Sequence, residues 1–287
     1  MKLCPACRAP MDHTSACATC GNTIEAFEGF ELYAPQNARQ GRGYNPEIYA
    51  ELARLEDRNF WFQARNRLIV HAARRHFPRI GSLLEIGCGT GQVLRAMETA
   101  FPDAQMHGSE LFVEGLSFAR RRVPRAHLMQ MDATRIPYAD EFDLVGAFDV
   151  IEHIEDDTAV LAEIRRALKR GGGAILTVPQ HPALWSQQDE LACHVRRYRR
   201  HELEQKLRNC GLRVVYSTSF VSILLPLLAA SRWTMPRANN DPLREMRIGR
   251  FANAGLGAAL AAEYGLLRSG LRLPVGGSRL VVAIKDS

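Results

Sequence analysis

The most constraining stretch is Leu83–Gly91, which reads LLEIGCGTG. A short apolar run carries an acid, meets a G-x-G-x-G loop, and gives way to a helical pattern over Gln92–Ala100. An apolar run this short, bounded by glycines, fits a strand buried on both faces. The glycines let the backbone turn sharply and let a ligand approach closely. The strand and helix pattern then repeats along the chain. Strands are expected at Gln105–Glu110, Ala126–Met131, Phe142–Val150, Gly173–Val178, Leu212–Thr218 and Arg279–Ile284, and helices at Val113–Arg122, Asp156–Lys169 and His201–Cys210. Such alternation predicts an α/β fold, a Rossmann-like, doubly wound, mostly parallel sheet with helices on both faces. Ligands bind such sheets at the carboxyl ends of the strands, where the strand order reverses.

Three acids fall near those ends. Glu85 precedes the first glycine, where a pyrophosphate would be repelled and an ammonium welcomed. Glu110 ends the second strand, where a carboxylate can accept both hydroxyl hydrogens of a ribose. Asp132 ends the third, placed to accept from an exocyclic adenine amine. The dinucleotide fingerprint G-x-G-x-x-G fails, because Gln92 stands at its last glycine.

With these features the chain, from about Tyr44 to its end, resembles the class I S-adenosylmethionine-dependent methyltransferases. The likeness extends to Phe142–Asp149 followed by Val150-Ile151-Glu152-His153-Ile154. It also takes in Leu168–Gly173, where Arg170 replaces the proline of the family's L-x-P-G-G turn. The resemblance implies that Glu85, Gly87, Cys88, Gly89 and Gly91 cradle the methionine moiety. Glu110 and Leu111 would hold the ribose, Asp132 and Ala133 the adenine, and Asp149 would lie beside the sulfonium. The implied cofactor is S-adenosylmethionine, with S-adenosylhomocysteine as product.

Two segments leave the carboxyl edge beside the methyl group: Glu152-His153, and Thr177–Arg200. The second resembles a subgroup with an H-P-x-L-W-S-x-x-D-E…H-x-R-R-Y pattern, which places His181, Trp185, Asp189, His194, Arg197 and Tyr198 around the acceptor. His194, supported by Tyr198 and Asp189, is the expected general base for a hydroxyl acceptor, and His153 is its rival. Phe60-Trp61-Phe62 either walls the ligand site or packs in the core. The closing strands are interrupted over 220–277 by two apolar helical stretches, Val221–Ala230 and Phe251–Leu267. These form a lid or trough for an apolar or lipid-linked acceptor, or else thicken the core or pair two copies as a homodimer.

Four of the seven cysteines lie in the first twenty residues, as Cys4-x-x-Cys7 and Cys17-x-x-Cys20. Two such knuckles supply the four thiolates of a closed tetrahedral structural zinc site. A rubredoxin-like iron site and a module that has lost its metal are the alternatives. His13 reads as a loop residue. Thr23–Pro35 reads as a strand or hairpin that completes this zinc ribbon and leads away from it. The expected organisation is a zinc-ribbon-like module over 1–35, a linker and leading helices over 36–80, and the core over 81–287.

No run approaches the roughly 18–20 apolar residues of a spanning helix, and the start lacks a signal peptide's apolar run. The expectation is a cytoplasmic protein, with peripheral membrane contact left open. The net charge is +6, from 37 Lys+Arg against 31 Asp+Glu. With arginines grouped at 120–122, 165–170 and 196–200, that balance also leaves open RNA methylation, with the zinc module and arginines on phosphates. Against RNA, strand four ends Phe148-Asp149-Val150 and not in an N-P-P-[YF] signature. The expected activity is methyl transfer to oxygen or nitrogen of a small-molecule or lipid-linked acceptor.

Overall fold

The computed structural model describes residues 1–11, 16–38, 46–234, 243 and 246–286. His13 and Tyr44 lie outside them. In chain order the elements are β1 (Glu25–Phe27), β2 (Phe30–Leu32), α1 (Pro35–Ala38), α2 (Pro46–Glu56), α3 (Phe60–His76), β3 (Ser82–Ile86), α4 (Gln92–Ala100), β4 (Gln105–Glu110), α5 (Val113–Arg122), β5 (His127–Gln130), β6 (Phe142–Phe148), α6 (Asp157–Ala167), β7 (Leu168–Pro179), α7 (Gln187–Leu191), α8 (Glu202–Asn209), β8 (Arg213–Phe220), α9 (Leu225–Thr234), α10 (Arg250–Arg268) and β9 (Ser278–Ile284).

Among the described residues the strands form one sheet in the order β1-β2-β5-β4-β3-β6-β7-β9-β8. Strands β3 to β7 are mutually parallel, and β9 runs antiparallel between β7 and β8. This is the Rossmann-like α/β arrangement. The order reverses beside β3: the chain builds outward through β4 and β5, then returns to lay β6 and β7 on the other side. The crevice at the ends of β3 and β6 is therefore where such a sheet takes a ligand.

Strand β3 is buried along its whole length. Its side chains alternate between two cores. Leu83 packs with Leu68 and Ile69 of α3, Val93 and Leu94 of α4, and Leu116 of α5. Leu84 and Ile86 pack with Val160, Leu161 and Ile164 of α6, and with Leu203 and Leu207 of α8. Each of those helices has one apolar stripe, so burying the stripes on opposite faces fixes the layers.

Two differences from the sequence-based expectations have physical reasons. The expected hairpin exists as β1 and β2, but β2 pairs in parallel with β5, Glu31 against Met129 and Leu32 against Gln130. Thr23, bridged to Ala16, and Ile24 stay with the cysteine module, while the hairpin leads away and extends the core sheet. The clamp is Gln130, fully buried, which donates to the carbonyl of Ala34 at 2.9 Å and accepts the Ala34 N–H at 3.1 Å. The Leu168–Gly172 turn is drawn into β7 through an irregularity against β6. Gly173 there tolerates no Cβ, which would lie 2.4 Å from the Phe77 ring. The interrupting segment does carry two helices, and α10 lies against α3. Buried Glu263 of α10 accepts the N–H groups of Val221, Ser222 and Ile223 at 2.6, 2.6 and 2.8 Å. Asn253 of α10 accepts the Phe60 N–H at 2.9 Å. Charge-assisted bonds to three successive amides hold the chain where it leaves β8.

Among the described residues no helix is long and apolar enough to cross a membrane.

Candidate functional site

The loop after β3 turns on Gly87 and Gly89, at φ +65° and +52°. A Cβ on Gly87 would sit 2.5 Å from Val150 Cγ2. Gly87 is thus required by the packing of the loop against the end of β6. Gly89 differs: the nearest atom to its Cβ position would be Glu110 Oε1, at 3.9 Å. A glycine there keeps open the space facing Glu110.

Glu85 is buried, and its Oε2 has no hydrogen-bond partner within the protein. Burial pushes its carboxyl well above the usual carboxylate range, against the pull of the Arg65 guanidinium. A buried carboxylate at a switch point wants a cation or a donor. Glu110 lies across the loop and accepts the Gly89 N–H at 2.6 Å and the Leu111 N–H at 3.2 Å. Burial pushes its carboxyl up to about 7, against those two N–H groups. Asp132 caps the short turn Ala133–Arg135, accepting Thr134 N–H at 2.8 Å. Its Oδ2 accepts from Asn37 of α1 at 3.3 Å. Cys88 is buried beside the loop. The acids thus stand at neighbouring strand ends, as the sequence pattern expects.

Asp149, at the end of β6, has φ +58°. Its Oδ2 accepts Arg65 Nη1 at 2.7 Å and Thr177 Oγ1 at 3.1 Å. Arg65 is the residue that sequence reasoning missed. It lies over the Trp61 and Phe62 rings at 4.6 and 5.4 Å, within one helical turn of both. This gives Phe60-Trp61-Phe62 a role between its two expected ones: Phe62 is buried, and with Trp61 it aims an arginine at the crevice. A second missed group is Glu56 of α2. It accepts Arg122 Nη1 at 2.6 Å and the Thr90 hydroxyl, tying α2, the glycine loop and α5 together.

On the other side of the β6 end, Glu152 and His153 sit in a short turn, Ile151–His153. The His153 ring meets the His194 ring edge to face at 4.7 Å. His194 Nδ1 lies 2.9 Å from Asp189 Oδ1, which also accepts Arg197 Nε at 2.7 Å. Asp189 is buried, and the pull of His194 and Arg197 holds its carboxyl down at about 2 against burial. Burial pushes His153 down to about 4, helped by His194. His194, His153, Asp189 and Arg197 therefore come together. Tyr198 does not join them, which corrects its placement beside His194. It is 1% exposed, and its hydroxyl donates to Asp157 Oδ2 at 2.6 Å, with Lys206 on the same carboxylate. A phenol this deep needs a partner, and Asp157 supplies it. Trp185 lies on the surface, 38% exposed, and donates to Glu190.

At the far end, Cys4, Cys7, Cys17 and Cys20 converge. Sγ separations are 3.7 Å for Cys4 and Cys20 and 3.6 Å for Cys7 and Cys17. Four thiolates at about 2.3 Å from a tetrahedral zinc stand about 3.8 Å apart. The backbone N–H of Cys20 leads in lowering the Cys17 thiol, while the other three thiols raise that of Cys20 against the Asn22 N–H.

Residues 84–176 match the model of a methyltransferase domain family. The matched stretch runs from β3 into β7 and so takes in the strands that border the crevice. A ubiquinone/menaquinone biosynthesis C-methyltransferase of Desulfotalea psychrophila is 30% identical over 109 residues, 37% of this chain and 44% of that protein. A dTDP-3-amino-3,6-dideoxy-alpha-D-glucopyranose N,N-dimethyltransferase of Streptomyces fradiae is 33% identical over 168 residues, 58% of this chain and 56% of that protein. The chain thus spans about half the length of these curated relatives. Among solved structures, phosphoethanolamine N-methyltransferase 2 of Haemonchus contortus in complex with S-adenosyl-L-methionine shares the fold. Its TM-score is 0.53 at 21% identity, over 78% of this chain and 52% of that one.

Proposed function

We propose that this protein transfers the methyl group of S-adenosylmethionine to oxygen or nitrogen of a small-molecule acceptor. The observation that carries this is the trio Glu85, Glu110 and Asp132 around the glycine loop, with the buried Glu85 oxygen still unpartnered. An ammonium placed there satisfies it. Glu110 takes the ribose hydroxyls with Leu111 beside it, Asp132 and Ala133 take the adenine, and Gly87, Cys88, Gly89 and Gly91 line the methionine. Asp149, already paired with Arg65, faces the reacting end. Bound there, the cofactor supplies an activated methyl, and the chain's task is alignment and exclusion of water. His194, backed by Asp189, is the group positioned to take a proton from the acceptor when no metal is near, with His153 its rival. The two curated relatives are methyltransferases of small molecules.

Four of the ten arginines in the three groups are tied to acidic partners within the protein. Arg122 is spent on Glu56, Arg166 on Glu163 and the Tyr138 carbonyl, Arg196 on Asp157, and Arg197 on Asp189.

Glu110 offers a test that needs no acceptor. Its carboxyl titrates near 7 in the free protein. Only the ionised form accepts both ribose hydroxyls well, so binding pulls its pKa down and releases a proton. Product affinity should rise between pH 6 and pH 8. Calorimetry of S-adenosylhomocysteine in buffers of different ionisation heat should show about half a proton released at pH 7 and almost none at pH 9. Glu110→Gln should remove the release. Release unchanged in that variant would mean another group titrates.

The cysteine cluster is read as structural zinc, since four thiolates leave no open position for chemistry. Elemental analysis should find about one zinc per chain in it. Cys4→Ser combined with Cys20→Ser should remove that zinc and loosen the N-terminal residues. Zinc content untouched by the double substitution would refute the assignment.

A further inference from the structure

We propose that Glu152, His153 and His194 form a divalent-cation site of two imidazoles and one carboxylate on the acceptor edge. The inference rests on reading that edge as the acceptor site. One ligand atom from each residue lies within 4.8 Å of the other two.

Glu152 carries the argument. It is 0% exposed, and neither carboxylate oxygen has a hydrogen-bond partner. The nearby arginines are committed elsewhere: Arg65 to Asp149 at 2.7 Å, and Arg197 to Asp189 at 2.7 Å. A buried carboxylate that its neighbouring cations pass over is costly unless something else binds it. Its backbone is fixed by the Val195 N–H, which donates to the Glu152 carbonyl at 2.8 Å. That bond also ties the turn bearing Glu152 and His153 to the segment bearing His194.

His194 supplies the second observation. Its Nδ1 is committed to Asp189 at 2.9 Å, which leaves Nε2 for a ligand. Asp189 is itself held by the Ser186 N–H at 2.9 Å and by Arg197. A metal-binding imidazole is commonly oriented by a carboxylate on its other nitrogen, and here that carboxylate is clamped. His153 lies beside it, the rings edge to face at 4.7 Å and a nitrogen of each within 4.8 Å of the other.

Two imidazoles and one carboxylate suit a first-row divalent ion, such as zinc, manganese or iron, better than calcium. One carboxylate charge against two on the ion leaves one positive charge. That residual charge matches an acceptor oxygen that gives up its proton to solvent, so in the loaded protein His194 holds the ion and is not the base. The site differs from the cysteine cluster in place and in ligand softness.

The test is titration of Co²⁺ into protein carrying a single zinc per chain, the ion that the four-thiolate cluster retains, followed by calorimetry and visible absorption. The expected result is one Co²⁺ per chain beyond the zinc, without thiolate charge-transfer bands. Glu152→Gln and His194→Gln should each reduce that equivalent to none. The Cys4→Ser/Cys20→Ser protein should keep it. S-adenosylhomocysteine titration of the same samples reports separately on the cofactor reading and confirms that each variant is folded. Failure of the folded wild type to take up Co²⁺, or equal uptake by both variants, overturns the cation site while leaving the cofactor reading standing.

Discussion

Arg122→Met is expected to lower the stability of the protein by about 3–5 kcal/mol, the effect of stripping one partner from a buried ion pair. The Arg122 and Glu56 side chains are 11% and 7% exposed. Arg122 Nη1 donates to Glu56 at 2.6 Å, and Nη2 to the Ala53 carbonyl at 2.7 Å. Glu56 also takes the Thr90 hydroxyl, and Gln92 Nε2 donates to its backbone carbonyl at 2.7 Å. Three elements therefore meet on one carboxylate: α2 before the core, the turn after β3, and the end of α5. Without the guanidinium, Glu56 stays buried with a hydroxyl as its main partner. Replacing both members, as in Arg122→Met with Glu56→Leu, should recover most of the loss, because it removes the stranded charge. Urea unfolding of the two variants decides this. A single variant within about 0.5 kcal/mol of wild type, the range of an ordinary surface change, would mean that the pair is not holding α2 to the loop.

That network shows which parts of the molecule the sequence discloses. Helices α4 and α5 and strand β4 fall on the residues that periodicity alone assigns, Gln92–Ala100, Val113–Arg122 and Gln105–Glu110. Their apolar spacing is strong and each has a punctuating neighbour. The glycines and the acids of the crevice are legible for a related reason: a strand that ends in an acid at a sharp turn has few other uses. Edge pairing was not legible. β2 is three residues long, and its neighbour β5 lies about a hundred positions away, so only the tertiary contacts of Gln130 decide where it goes. Arg65 was hidden in a helix among other arginines, and only its spacing from Trp61 and Phe62 marks it. Tyr198 misled because its motif places it near His194 in the chain, while its bridge to Gln180 sets its ring in the second core against Asp157. Asp189 and His194 are five residues apart, and the short helix α7 folds one back on the other, closing its capping box on Ser186.

Glu110→Ala should weaken binding of S-adenosylhomocysteine by about 10²–10⁴-fold, since two charge-assisted hydrogen bonds of roughly 1.5–3 kcal/mol each are lost. The fold should survive. Glu110 is held by two backbone N–H groups, from Gly89 and Leu111, both at the open crevice, where water can replace the carboxylate. A matching loss of thermal stability is therefore not expected. Glu110→Gln, which keeps the volume and one acceptor oxygen, should fall between wild type and alanine. The deciding measurement is calorimetric titration of S-adenosylhomocysteine into wild-type and Glu110→Ala protein at pH 8, where the wild-type carboxylate is ionised. One-to-one binding by the wild type, with the 10²–10⁴-fold loss in a variant that still unfolds at the wild-type temperature, is the expected outcome. Equal affinities, or no binding by the wild type, would contradict the assignment of this crevice to S-adenosylmethionine.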